Sequence, residues 1–119
     1  MTGDLSKHFS RSEFACKCGC GFDTVDVELL NHLILIREYW QNPLVITSGC
    51  RCLAHNTLVG GHYNSGHMRA EAVDFYIKNI EPEKIYTWLH KLNPDSLALG
   101  NGKTFTHLGL SKKKKRWAY

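Results

Sequence analysis

An α+β fold, with helices packed against a small and mostly antiparallel sheet, is the architecture this sequence predicts. Two observations predict it. Two segments carry apolar residues at helical spacing, and about four short segments rich in β-branched residues alternate with them in mixed order. A hydrophobic content of 43% over 119 residues suffices for one small core, and no internal repeat is present. The expected organisation is a single domain over residues 1–119, with a basic tail over 111–119.

The elements follow in order. Ser10 and Glu13 match a capping box and predict a short N-terminal helix anchored by Phe14. Residues 16–21 read as a glycine-rich turn. The clearest helix runs from Val27 to Trp40: Leu29, Leu33, Ile36 and Trp40 share one face, an acid or threonine at 23–26 can cap it, and Pro43 stops the chain beyond its end. Leu44–Thr47 is a short strand closed by Ser48 and Gly49. Leu53–Val59 predicts one or two helical turns, and residues 60–66 a loop. Ala72–Ile77 is a strand with Val73 and Phe75 on one face and Ala72, Asp74 and Tyr76 on the other. Pro82 suits the first turn of a second long helix, whose apolar face is Ile85, Trp88, Leu89 and Leu92, and Pro94 closes it. Leu97–Leu99 and Phe105–Leu110 are strands flanking a turn at Gly100–Gly102, which predicts a hairpin.

The net charge of +4 is concentrated in the unbroken run Lys112–Arg116. Such a run reads either as a solvated tail or as a patch for an anionic polymer; Trp117 and Tyr119 beside it favour some packing. No apolar run reaches the roughly eighteen residues a membrane span needs. The opening segment lacks an apolar signal core, so the expected location is a host cytoplasm, with action elsewhere only after release by another protein.

Five cysteines, Cys16, Cys18, Cys20, Cys50 and Cys52, are an odd count that argues against an obligatory disulfide framework. Three readings stay open: a structural zinc site, although the Cys-x-Cys spacing is tighter than the usual knuckle; a disulfide or thiol cluster near the surface; or simple buried thiols.

The chemistry concentrates in Ser65–Asp74 and in His107. His67 at a loop end, Asp74 inside a strand and His107 on a neighbouring strand can converge. Two histidines and a carboxylate make a catalytic zinc set that leaves one coordination position open. Such a zinc would lower the pKa of water and polarise a carbonyl. A His-x6-Asp pair also arises by chance in small domains, and His55 and His62 near the glycine loop offer other ligand sets. His8, His32 and His90 fall in or near helical stretches and read as surface or satisfied residues. Arg51, just past a strand end, suits bidentate recognition of a carboxylate, or a surface salt bridge.

The whole pattern resembles the zinc D-alanyl-D-alanine carboxypeptidases and related peptidoglycan peptidases, including small phage-encoded members. The resemblance covers roughly residues 8–110. It begins at His8-Phe-Ser-Arg-Ser-Glu-Phe14 and the Cys-x-Cys-Gly-Cys-Gly turn, continues through Ser48-Gly-Cys-Arg51-Cys-Leu-Ala-His55-Asn56 and Val59-Gly-Gly61, peaks at Ser65-x-His67-x-x-x-x-Ala72-x-Asp74, and ends at Phe105-Thr-His107. It implies the fold shared with the hedgehog signalling domain, zinc held by His67, Asp74 and His107, and contact of Arg51 and Ser65 with a peptide substrate.

Three departures stand out. Ala70 replaces the signature glycine, a mild change unless φ there is positive. Relatives carry a catalytic acid two positions after the last histidine or three before it; here these are Gly109 and Thr104. Glu71 is the nearest carboxylate, but strand alternation turns it away from Asp74. His62 and His55 remain as proton-transfer candidates.

The expected protein is therefore a zinc (Zn2+) peptidase of peptidoglycan stem peptides, of carboxypeptidase or endopeptidase type, a monomeric phage or prophage lysin without membrane insertion or nucleic-acid partner. A non-catalytic wall-binding or virion protein on the same fold is the first alternative. A small nucleic-acid-binding protein using the cysteines and the lysine run is the second.

Overall fold

The computed structural model describes residues 3–119; Met1 and Thr2, which open both the expected domain and the segment read for a signal core, lie outside it. Three α-helices and five strands follow one another: α1 (Val27–Trp40), β1 (Leu44–Ser48), α2 (Leu53–Leu58), β2 (Ala72–Ile77), α3 (Pro82–Leu92), β3 (Ala98–Asn101), β4 (Thr106–Gly109) and β5 (Lys115–Ala118). Single 3-10 turns occupy Arg11–Phe14 and Gly66–Arg69. The expected α+β class is thus the observed one. Among the described residues, no helix is long and apolar enough to cross a membrane.

Local signals explain most boundaries. The Ser10 N–H donates to the Glu13 carboxylate at 2.7 Å, one arm of the capping box. Asp26 caps α1 by accepting the Glu28 N–H at 2.8 Å, and Gln41 ends the helix in the left-handed conformation. Pro82 stands at the start of α3, where its missing N–H costs nothing.

The sheet order is β1-β2-β4-β3-β5, antiparallel throughout except for the parallel pair β3/β5. One face buries Val73, Phe75, Ile77, Leu99 and Leu108 against Leu29, Leu33 and Ile36 of α1 and Ile85 and Leu89 of α3. Burial of these side chains is the main source of stability, at roughly 1.5–3 kcal/mol for each large one. Tyr39 stacks on Trp88 (ring centroids 4.4 Å apart), and Trp40 meets Trp88 edge-on, which joins the end of α1 to α3.

Two expectations are corrected. Residues 111–119 are not a solvated tail: they end in β5, which pairs with β3. Arg116 holds that strand by donating to the carbonyls of Leu97, Asn93 and Ser96 and to His90 Nδ1, so its fork of donors is consumed internally. Lys112, Lys113 and Lys114 stay exposed. The β3–β4 turn also lies later than Gly100–Gly102: β3 runs through Gly100 and Asn101, and Gly102 N–H closes the hairpin on the Phe105 carbonyl at 3.0 Å.

Candidate metal centre

Strand register builds the site. Asp74 on β2 faces His107 on β4, His107 faces Gly100 on β3, and Gly100 faces Trp117 on β5, so one row crosses the sheet on the face opposite the helices. On the other side a bulge in β1, between Ile46 and Ser48, brings Ser48 level with Asp74. Gly100 lacks a side chain for a visible reason: a Cβ there would sit 2.7 Å from the Trp117 indole nitrogen. Trp117 uses that space to rest beside His107, ring centroids 5.0 Å apart.

His67 arrives from the 3-10 turn. Ser65 caps that turn, its hydroxyl accepting the His67 N–H at 3.1 Å. The His67 side chain is 3% exposed, and Nδ1 donates to the Gly49 carbonyl at 2.7 Å. That bond sets the tautomer and leaves the Nε2 lone pair facing Asp74 Oδ1 at 3.5 Å. His107 Nδ1 lies 2.8 Å from the same oxygen. One donor atom each from His67, Asp74 and His107 fall within 4.8 Å of one another. Two imidazoles and a carboxylate, one imidazole already fixed by a backbone carbonyl, are a donor set that fits zinc and leaves a coordination position open.

Burial raises the Asp74 pKa, but the hydrogen bond from His107 Nδ1 and the nearby His67 imidazole outweigh it and hold the carboxyl well below the usual range. Its ionisation therefore adds stability at every pH above the ordinary carboxylate range, lost only as pH falls through the depressed value. Arg51 guards the second oxygen: Nη2 lies 3.6 Å from Oδ2, Nε donates to Ser48 Oγ at 3.2 Å, and Nη1 to Asn56 Oδ1 at 3.2 Å.

These residues open onto a cavity of about 620 Å³, within the range of small-ligand sites. Arg51, Ser65, His67, Asp74 and His107 all line it, and so does His62. His55 does not: it sits on α2 outside the lining, its Nδ1 buried without a partner among the described residues. Glu71 corrects another expectation. It precedes β2, so strand alternation does not govern it; it lines the cavity and pairs with Arg69 at 2.7 Å.

Asn56 closes the Ser48–Asn56 motif in the sequence, but nothing there assigns it a role. Buried to 2% exposure, it accepts from Arg51 and donates to the His62 carbonyl at 3.0 Å, tying the two together. Trp117 and Tyr119 were legible only as aromatics beside a charge run. Partial burial of the otherwise exposed Tyr119 pushes its phenol up and the Asp74 charge adds to this, so it stands at the cavity as a neutral donor.

Ala70 adopts φ 58°, the left-handed conformation in which its Cβ is strained. Ala70→Gly should therefore stabilise the protein by about 0.5–1 kcal/mol, the strain relieved less the entropy glycine loses on folding. A raised denaturant midpoint at unchanged slope is the expected reading; a lowered one would show that the buried methyl outweighs the strain.

The sequence profile described as Peptidase M15 matches residues 7–109 of the chain. No curated protein and no solved structure matches it.

Proposed function

The chain belongs to the peptidase M15 family, and from that premise we propose that it is a zinc-dependent peptidase hydrolysing peptide bonds of peptidoglycan stem peptides. The observation that carries this reading is the convergence of His67, Asp74 and His107 on one point at the floor of an open cavity. Zinc, when bound, supplies Lewis-acid chemistry at neutral pH, acidifying water and polarising the scissile carbonyl.

The chain's own groups do the rest. Arg51 and Lys115 place positive charge on the cavity walls, suited to a peptide that ends in, or branches through, a carboxylate. Ser65 presents the turn that carries His67. His62 Nδ1 accepts the Asn64 N–H at 3.0 Å, so its proton sits on Nε2. In that state His62 can donate a hydrogen bond from Nε2 to the substrate or to a developing oxyanion, and is not poised to take a proton there. His55 has no part in this scheme. The exposed lysines 112–114 would attract an anionic cell wall, in keeping with a phage or prophage lysin that acts after release from the host cytoplasm.

A second reading is a wall-binding protein without turnover, favoured by Gly109 and Thr104 at the positions where relatives hold an acid. Zinc-loaded protein incubated with purified muropeptides decides between them. Mass spectrometry should show a product whose mass names the bond cut, and a chelator should abolish it. Muropeptide binding with no product from fully loaded protein would establish the wall-binding reading.

A further inference from the structure

A second cluster of metal-binding side chains lies outside the peptidase site. We propose that Cys16, Cys18, Cys20 and Cys52 hold a tetrahedral zinc ion as a structural tetrathiolate.

The four sulfur atoms lie within 4.8 Å of one another. Cys16 and Cys18 are separated by 3.5 Å, Cys18 and Cys52 by 3.5 Å, and Cys16 and Cys52 by 3.8 Å. With Zn–S bonds of about 2.3 Å, the edge of a regular ZnS4 tetrahedron is about 3.8 Å. The chain thus arranges its thiols near the spacing such an ion demands. No disulfide joins them.

Backbone geometry explains how so tight a spacing works. Along an extended strand, sulfurs at 16, 18 and 20 would spread out along one face. Here the chain reverses: Gly19 and Gly21 take φ +78° and +94°, which glycine adopts without strain. Gly19 N–H closes a turn on the Cys16 carbonyl, and Cys16 N–H reaches the Phe22 carbonyl at 2.7 Å. Two backbone donors face the sulfurs, Cys52 N–H to Cys16 Sγ and His55 N–H to Cys52 Sγ, each at 3.4 Å. Such bonds favour thiolate and orient it as a ligand.

The fifth cysteine is set apart. Cys50 is buried, and its thiol lies 3.1 Å from the carbonyls of both Phe14 and Phe22. Four ligands and one buried thiol account for the odd count.

This ion would clamp the N-terminal loop to residue 52, next to Arg51 and three residues from Gly49. Those two residues orient Asp74 and His67 respectively. It would therefore be a positioning device for the peptidase site, but its existence does not depend on peptidase activity.

The test uses the full chain purified under reducing conditions and loaded with zinc, beside His107→Ala and the double variant Cys18→Ser/Cys20→Ser. The parent should hold two equivalents of zinc and each variant one. Cobalt in place of zinc should give the intense near-ultraviolet charge-transfer band of a cobalt thiolate in the parent and in His107→Ala, and none in the double variant. Bound zinc should shield Cys16, Cys18, Cys20 and Cys52 from a thiol reagent until a chelator is added, whereas Cys50 is protected by its burial with or without the ion. Absence of the cobalt–thiolate band from the parent, or free reaction of the thiols in zinc-loaded parent, overturns the proposal even if the double variant fails to fold. A band without muropeptide cleavage overturns the peptidase reading and leaves this site standing.

Discussion

Replacing His107 by alanine should empty the peptidase site and abolish turnover while leaving the protein folded. His107 supplies one of three donors, and its Nδ1 is the nearest partner of the Asp74 carboxylate at 2.8 Å. Without it, His67 and Asp74 remain as two ligands, too few for a stable catalytic site. Loss of the ion removes both the activation of water and the stabilisation of the developing oxyanion. The drop should thus exceed the roughly 10²–10³ that one oxyanion donor is worth. The core should survive, because His107 sits on the sheet face opposite Leu108, which the helices cover. Circular dichroism, zinc content and muropeptide turnover measured on one preparation check the three parts. Turnover retained after zinc falls would assign the reaction to other residues.

Installing an acid at position 109 should strengthen the site. His107 turns Nδ1 toward Asp74 and the metal position, so a zinc ion bound at Nδ1 would leave Nε2 to carry the proton. Ligating histidines nearly always donate that proton to an acceptor. A Cβ at Gly109 would lie 3.3 Å from His107 Nε2 and 3.4 Å from the methyl groups of Ala72 and Ala98, in a backbone conformation open to any residue. Gly109→Asp would therefore hold its carboxylate beside the Nε2 proton. Zinc affinity should rise by about 10–100-fold. Turnover should rise too, by up to the roughly 10²–10⁴ attributed to a positioned acid–base group. Gly109→Ala is the control for crowding and should do neither. Zinc titration against a competing chelator reads the first effect and muropeptide kinetics the second. An aspartate variant that binds zinc no better than the alanine variant would sink the orientation argument.

Much of the fold was legible because its local signals agree with its tertiary role. The apolar stripe of α1 and the proline opening α3 mark elements whose buried faces are those the core uses. The strand over 72–77 was readable for the same reason, its alternation matching one covered face and one open face. Position 70 was readable conditionally: alanine there is strained only where φ is positive, and φ is 58°. Less legible was β5. Its composition is that of a tail, and it becomes a strand through remote partners, the Arg116 carbonyl contacts and the space above Gly100.

The candidate site divides the same way. Ligand types and their order along the chain are properties of the sequence, and they pointed to His67, Asp74 and His107, with Arg51 nearby. Which histidine joins them is not. His55 and His62 both flank the glycine loop, but α2 carries the first away from the cavity while the loop brings the second into its wall. Glu71 reaches the same wall because β2 begins one residue after it. Asn56 acquires its role only by burial between Arg51 and His62. The sorting of five cysteines into four and one likewise depends on left-handed glycines and on where α2 starts. Sequence by itself determined the helices and the strands β1 to β4 to within a few residues, most of their buried faces and the chemical identity of the ligands, because these follow from periodicity and residue type. Tertiary structure alone decided which polar side chains share a cavity, because that depends on strand register and loop direction, set by contacts between residues distant along the chain.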